Sequence, residues 1–245
     1  MKRVGVDGGR AGACGITEVR GCWRVMDATT APPASRGSST RNELKRAARR
    51  LFAERGIAAV GMREVVEVAG QRNAAAVHYH FGSKDDLLRE LLIDGADLID
   101  AERRALFDEL ELRGEPTLSQ VVRAMVLPNV AFHGPTGEHE TYFRFIVNVQ
   151  NERRALFRAT VPEHSDGFRR FVAHVHRLLA PVPPATINQR ILFASLALQT
   201  LVAAREASID RTESGDHHFW SRPDALSGML DAVEAILLGS GASGR

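Results

Sequence analysis

The chain has 245 residues, 44% hydrophobic, 25% charged and 6% aromatic, with a formal net charge of +2. That composition excludes a disordered chain, a collagen-like repeat and a membrane-rich protein, and leaves room for more than one globular unit. The small total hides a split of +2 over residues 1–35, +6 over 36–84 and −6 over 85–245, so only one short stretch suits a polyanionic partner.

In chain order, residues 1–37 lack the apolar run of a signal peptide and are expected to form a disordered arm. Met26 is an alternative start, and Arg20, Arg24 and Arg36 make the arm a candidate minor-groove contact. Thr40 followed by Glu43 predicts a capping box opening the first helix. Leu44, Ala47, Ala48, Leu51 and Phe52 then fall on one helical face, and Gly56 stands where a left-handed C-cap is wanted. Met62, Val65, Val66 and Ala69 repeat the period over a shorter span that Gly70 stops. Ala74 to Phe81 predicts a small helix with Val77 and Phe81 inward, and with His78 and Tyr79 outward alongside the run Gln71-Arg72-Asn73. Helices this short must pack together to persist.

Beyond Lys84 the patterns predict a helical body with no strand-like alternation. Its helices are expected over 85–112, 117–133 (bent near Pro128), 140–159, 166–180, 185–208 and 223–238. The run from Ile187 to Ala204 is apolar nearly all round, but is too short and too polar for a membrane span, with Ser195, Gln199 and Thr200 in it. Leu226, Met229, Leu230, Val233 and Leu237 follow at heptad-like spacing. Packed with symmetry mates, these two helices, through Leu192, Leu196 and those five residues, are the expected self-contact of a homodimer.

Aromatic residues in the body, with a few polar ones among them, mark a candidate pocket for an amphipathic small molecule. Its expected lining is Phe132, His133, Tyr142, Phe143, Phe145, Ile146, Phe168 and Phe171, with Arg144 and His174 as polar anchors. Catalytic chemistry finds no support, since no G-x-S-x-G, Walker loop or paired-carboxylate motif occurs. No metal site or cofactor is expected: His174 and His176 lie on different helix faces, and His217-His218 stands without further ligands. Two cysteines, Cys14 and Cys22, fit a reducing cytoplasm.

Residues 38–92 resemble the DNA-binding domain of the TetR family of bacterial transcriptional regulators. The resemblance is carried by A-x-x-LF-A-x-x-G at Ala48 to Gly56, by Ala69-Gly70 and above all by HYHFGSKDDLL from His78 to Leu88. The chain departs from the family pattern at Gly61, where Thr or Ser is usual, and in a turn one residue longer than common, which resembles a subgroup with Q-R-N there.

The resemblance implies an all-α protein. Residues 38–84 would form the helix-turn-helix domain, 85–239 the effector-binding and dimerisation body, and 240–245 a tail. It also implies a ligand-released repressor that binds near-palindromic double-stranded DNA as a dimer. Phosphate contacts would fall to Arg41, Arg63, Tyr79 and Lys84, and base readout to Arg72, Asn73, Ala75 and His78. The competing reading is a small-molecule-binding protein or enzyme that retains a helix-turn-helix.

Overall fold

The computed structural model describes residues 36–71, 76–132, 141–161, 165–210, 219–220, 222 and 224–239. Ten α-helices account for all regular structure among them: α1 (Arg36–Arg55), α2 (Met62–Val68), α3 (Ala76–Phe81), α4 (Lys84–Leu112), α5 (Leu118–Val130), α6 (Tyr142–Glu152), α7 (Arg154–Thr160), α8 (Asp166–Leu178), α9 (Pro184–Asp210) and α10 (Ala225–Leu238). The first three, with the start of α4, form a small head, and α4 runs on into the body.

The head closes on the apolar faces expected of it. Leu44, Ala48 and Phe52 of α1 are sealed against Ile57, Val65, Val77, Leu87 and Leu88. Gly56 has φ +83, the left-handed conformation that ends α1. Gly70 (φ +68) ends α2 in a Schellman pattern, with Gly70 N–H donating to Glu67 O and Gln71 N–H to Val66 O. Ser83 caps α4 by accepting from Asp86 N–H (3.1 Å). In return its hydroxyl donates to the Asp86 carboxylate and holds that carboxyl below its ordinary pKa.

One capping expectation fails. The first helix begins at Arg36, so Thr40 lies inside it and caps nothing; the carboxylate of Glu43 instead accepts from the Ser39 hydroxyl (3.2 Å) and from the Gln71 amide (2.8 Å). A box motif is only a local preference, and an additional helical turn that continues the chain overrides it.

The body is built around α4, α5, α6, α8, α9 and α10, with α9 packed on both α6 and α10. Thr117 and Gln120 form a reciprocal capping box at the start of α5, which runs through Pro128 to Val130. The helix expected over 140–159 is two: Arg153 (φ −134, ψ 45) leaves helical geometry and separates α6 from α7. By length and hydropathy alone, Pro184–Ile209 would suffice to cross a membrane. Its contacts with α6 and α10 place it in the body.

Helix α6 meets α4 at a glycine. The Tyr142 ring lies over Gly95 and its hydroxyl donates to Leu92 O (2.9 Å), an α4 carbonyl, while burial pushes the phenol pKa far above its ordinary range. A Cβ on Gly95 would fall 2.2 Å from that ring. Alanine favours a helix interior over glycine by about 1 kcal/mol, but forcing α6 away from α4 costs more. Gly95→Ala is therefore expected to destabilise the protein by about 1–3 kcal/mol in urea unfolding; a gain in stability would mean that the ring approach is not a constraint.

Candidate functional site

The outer face of the head is assembled by α2 and α3. Val77 and Phe81 are buried, which turns His78 and Tyr79 outward; Tyr79 is 85% exposed, and its ring meets only the edge of His80. A large aromatic held in water by a rigid helix gains nothing for the fold. Arg63, in the first turn of α2, is also exposed and has no ion pair among the described residues. Arg72, Asn73 and Ala75 lie outside the described residues.

Two of the expected phosphate contacts are engaged inside the head. Lys84 Nζ donates to Ile57 O and Val60 O (2.8 Å) and sits 5.4 Å from the centre of the Phe52 ring. It thereby ties the start of α4 to the α1–α2 connection, and burial lowers its pKa. Arg41 donates to His80 O (2.6 Å), pairs with Glu90 and lies 4.6 Å over the Phe81 ring, so it fastens α1 to α3 and α4. Both cations therefore have structural work. The side chains of Arg63 and Tyr79 remain outward.

Helix α6 joins head to body. The Glu152 carboxylate accepts from Ile57 N–H (2.9 Å) and Ala58 N–H (2.7 Å), and Asn148 donates to Phe52 O (2.8 Å) and Ala53 O (3.2 Å). Phe52 O also accepts from Gly56 N–H (3.1 Å), whereas Ala53 O and the two following amides lie where the end of α1 no longer supplies helical partners. Phe145 stacks on Phe52 between them, at 6.3 Å between ring centres. Gly56 leaves the room: a Cβ there would be 2.7 Å from Glu152 Oε1. At its other end, α6 is capped from α9, where buried Glu206 accepts from Phe143 N–H (3.1 Å) and Arg144 N–H (2.9 Å).

The same helix borders a cavity in the body with a volume of about 420 Å³. Tyr142, Phe143, Ile146 and Gln150 come from α6, Ile99 and Arg103 from α4, Met125 and Asn129 from α5, and Leu192, Ser195 and Leu196 from α9. A smaller groove at the head–body junction is lined by Asn42, Lys45, Arg49, Asp94 and Phe132, among others.

Of the residues expected to line an effector site, Tyr142, Phe143, Ile146 and Phe168 line this cavity. Phe132 faces the smaller groove instead, and Phe145 belongs to the head–body junction. Phe171 is core, and His174 stacks on Phe107 (5.5 Å) with its Nε2 on Glu111 (2.7 Å). Arg144 is half-buried and absent from the lining, and His133 lies outside the described residues. Arg103, Asn129, Gln150 and Ser195 went unrecognised. Nothing local marks them, because they meet only when four helices converge.

The residues expected at the self-contact divide between the chain's own core and its surface. Met229, Leu230, Val233 and Leu237 are buried in the chain's own core, and Leu226 packs against it. A heptad-like stripe marks a buried face without saying whether the cover is another chain. Leu192 and Leu196 remain 53% and 45% exposed.

Comparison with known proteins identifies the head. Residues 44–91 match the family model for bacterial regulatory proteins of the tetR family. The head is thus a TetR-family N-terminal domain, with the helix-turn-helix by which such proteins bind DNA. The comparison with curated proteins found no match. Among solved structures, its fold is similar to that of the fatty acid degradation regulator FadR from Bacillus halodurans, at 14% identity over 88% of this chain and 100% of that one (TM-score 0.52). It is also similar to AmtR from Mycobacterium smegmatis, at 18% identity over 86% and 90% (TM-score 0.51). These likenesses concern the fold alone, and they take in the helical body as well as the head.

The junction makes a checkable demand on local opening. Glu152→Ala removes the acceptor for two amides and is expected to speed hydrogen exchange at Ile57 and Ala58 by tenfold or more, at about 1.4 kcal/mol per decade. Unchanged protection there would mean that the junction is not held by this carboxylate. Lys84→Met is expected to cost about 1–3 kcal/mol of stability, since it leaves two carbonyls without their charged donor; a shift in the midpoint of thermal unfolding reads it.

Proposed function

We propose that this protein is a ligand-responsive transcriptional regulator, in the repressor mode, that binds a near-palindromic operator as a homodimer. The observation that carries the reading is the outer face of the head, where a rigid short helix presents Tyr79 and His78 to solvent with Arg63 on the neighbouring helix. The fold family supports it, as does the net +6 over residues 36–84 against −6 beyond them.

In this reading α3 enters the major groove. Tyr79 and Arg63 position the head on phosphates, and His78 with Arg72, Asn73 and Ala75 reads base edges. Arg41 and Lys84 act indirectly by fixing α3 and α4 to α1. The self-contact uses the outward face of α9, where Leu192, Phe193 and Leu196 are exposed, with the small residues Gly228, Ala232 and Ala235 of α10 beside it. A second copy is the occupant that matches two reading heads to two half-sites.

Helix α6 is the proposed transmission element. One part of its surface borders the cavity through Phe143, Ile146 and Gln150, and another grips the end of α1 through Asn148 and Glu152. A ligand that shifts α6 within the body must shift the head with it, because the gripped amides and carbonyls belong to the backbone of the α1–α2 connection. Coupling of this kind is reciprocal: operator DNA must weaken effector binding by the same factor.

The test is binding of the purified protein to DNA from upstream of its own gene, read by fluorescence anisotropy against unrelated competitor at several salt concentrations. Tight binding that survives competitor, with two chains per site, is expected. Binding that is weak and vanishes with salt would be phosphate attraction alone and would sink the regulator reading for that DNA. Within this assay Arg63→Ala is expected to weaken all sequences alike and to reduce the salt slope by about 1. Lys84→Met, compared at equal folded fraction, is expected to leave the slope unchanged.

A further inference from the structure

Among the described residues, the cavity between α4, α5, α6 and α9 holds a guanidinium that no carboxylate pairs with directly. Arg103 donates through Nη2 to Asn129 Oδ1 (2.6 Å), a neutral acceptor. Its buried Nε has no partner, and no carboxylate among the described residues stands within ion-pair distance of its guanidinium. Asp100, one helical turn away, is already committed: Oδ1 accepts from Gly167 N–H (2.8 Å) and Oδ2 meets Arg104 Nε (3.4 Å). Burial lowers the Arg103 pKa to about 10, against the attraction of Asp100, and the group stays charged at neutral pH. A buried charge without a counterion is costly, and native proteins pair such groups.

The surroundings of Arg103 point the same way. Among the described residues, the lining includes three arginines (Arg103, Arg158 and Arg169) and no Asp or Glu. Of the other two, Arg169 is paired with Asp166 (3.0 Å). Ser195, on α9, contributes a second buried polar atom, Oγ, with no partner. The rest of the wall is mostly apolar, including Ile99, Met125, Phe143, Ile146, Phe157 and Phe168. Leu192 and Leu196 are both lining and exposed, which puts them at the rim.

From this juxtaposition we propose that the cavity takes an amphiphile with a single anionic oxyanion head, seated on the guanidinium of Arg103, and an unbranched or lightly branched apolar tail lying along the α6 and α8 aromatics. The oxyanion supplies the missing counterion, and the tail covers the apolar wall. A bare inorganic anion would leave that wall empty, and a neutral or cationic amphiphile would leave Arg103 uncompensated. The proposal gives a chemical class to the effector site and rests on that reading only for its consequence at DNA.

Isothermal calorimetry on the full chain without DNA tests it, with dodecanoate and dodecyl phosphate below their micellar concentrations as probes. Dodecanol, dodecyltrimethylammonium and acetate complete the set. One anionic amphiphile is expected to bind per chain, at least about tenfold tighter than dodecanol, with no binding of the cationic analogue or of acetate. The ranking of carboxylate against phosphate identifies the oxyanion. Arg103→Met is expected to remove the preference for the anion while leaving dodecanol binding as it was, and Ser195→Ala to weaken the anion by a few-fold.

Equal or tighter binding of dodecanol overturns the proposal. So does wild-type affinity for dodecanoate in Arg103→Met, or no binding by either anionic probe. The comparison of head groups in the wild-type protein needs no variant, so a failure of Arg103→Met to fold does not remove the test. Adding the bound probe to the anisotropy assay separates the two readings. Anion binding that depends on Arg103 but leaves DNA affinity unchanged keeps the ligand class and discards the effector role.

Discussion

The end of α1 is the constraint around which the molecule is arranged. A helix that stops inside a protein leaves carbonyls and following amides without partners, and these must be satisfied from elsewhere. Here the partners come from α6, some ninety residues later in the chain. Asn148 meets the carbonyls of Phe52 and Ala53, and Glu152 meets the amides of Ile57 and Ala58. The head therefore does not end its own first helix unaided, and the body completes it. Gly56 permits the approach because a side chain there would both strain the backbone and collide with Glu152.

That dependence has a functional reading. In the proposed mechanism, the contacts that make the head whole are those through which the body would move it. Helix α6 is fixed at both ends, by Glu206 from α9 at its start and by the end of α1 near its finish, and it borders the cavity between them. A rigid element with two satisfied ends transmits displacement, since either end can relax only by breaking charge-assisted hydrogen bonds. Arg153 interrupts the helix directly after Glu152, so α7 turns away and α6 ends at the junction.

The basic residues of the head divide into two kinds, and charge alone does not separate them. Lys84 and Arg41 are turned inward onto carbonyls and aromatic rings, where they lock the angle between α1, α3 and α4. Arg63 and the phenol of Tyr79 face water. A count of positive charge over residues 36–84 reads as one electrostatic patch, whereas the folded head spends part of it on its own geometry. Both uses fit the proposed reading head, because a helix that enters the major groove is only as specific as its mounting is stiff.

The sequence by itself determined what local rules govern. The periodicity of Leu44 to Phe52, the glycines at 56 and 70, and the run from His78 to Leu88 determined an all-helical chain with a helix-turn-helix near its start, and Val77 and Phe81 as the inward residues of α3. Tertiary structure alone decided which partner each surface meets. The heptad-like stripe Met229 to Leu237 has the same pattern whether it packs on its own chain or on another, and here it packs inward. Phe145, Phe171 and His174 carry no local sign that separates core from cavity. Arg103 looks like any helical arginine until Asn129, Tyr142 and Ser195 close around it. Periodicity and capping act over a few residues of chain, while burial, unpaired polar atoms and cavities arise where helices distant in sequence converge.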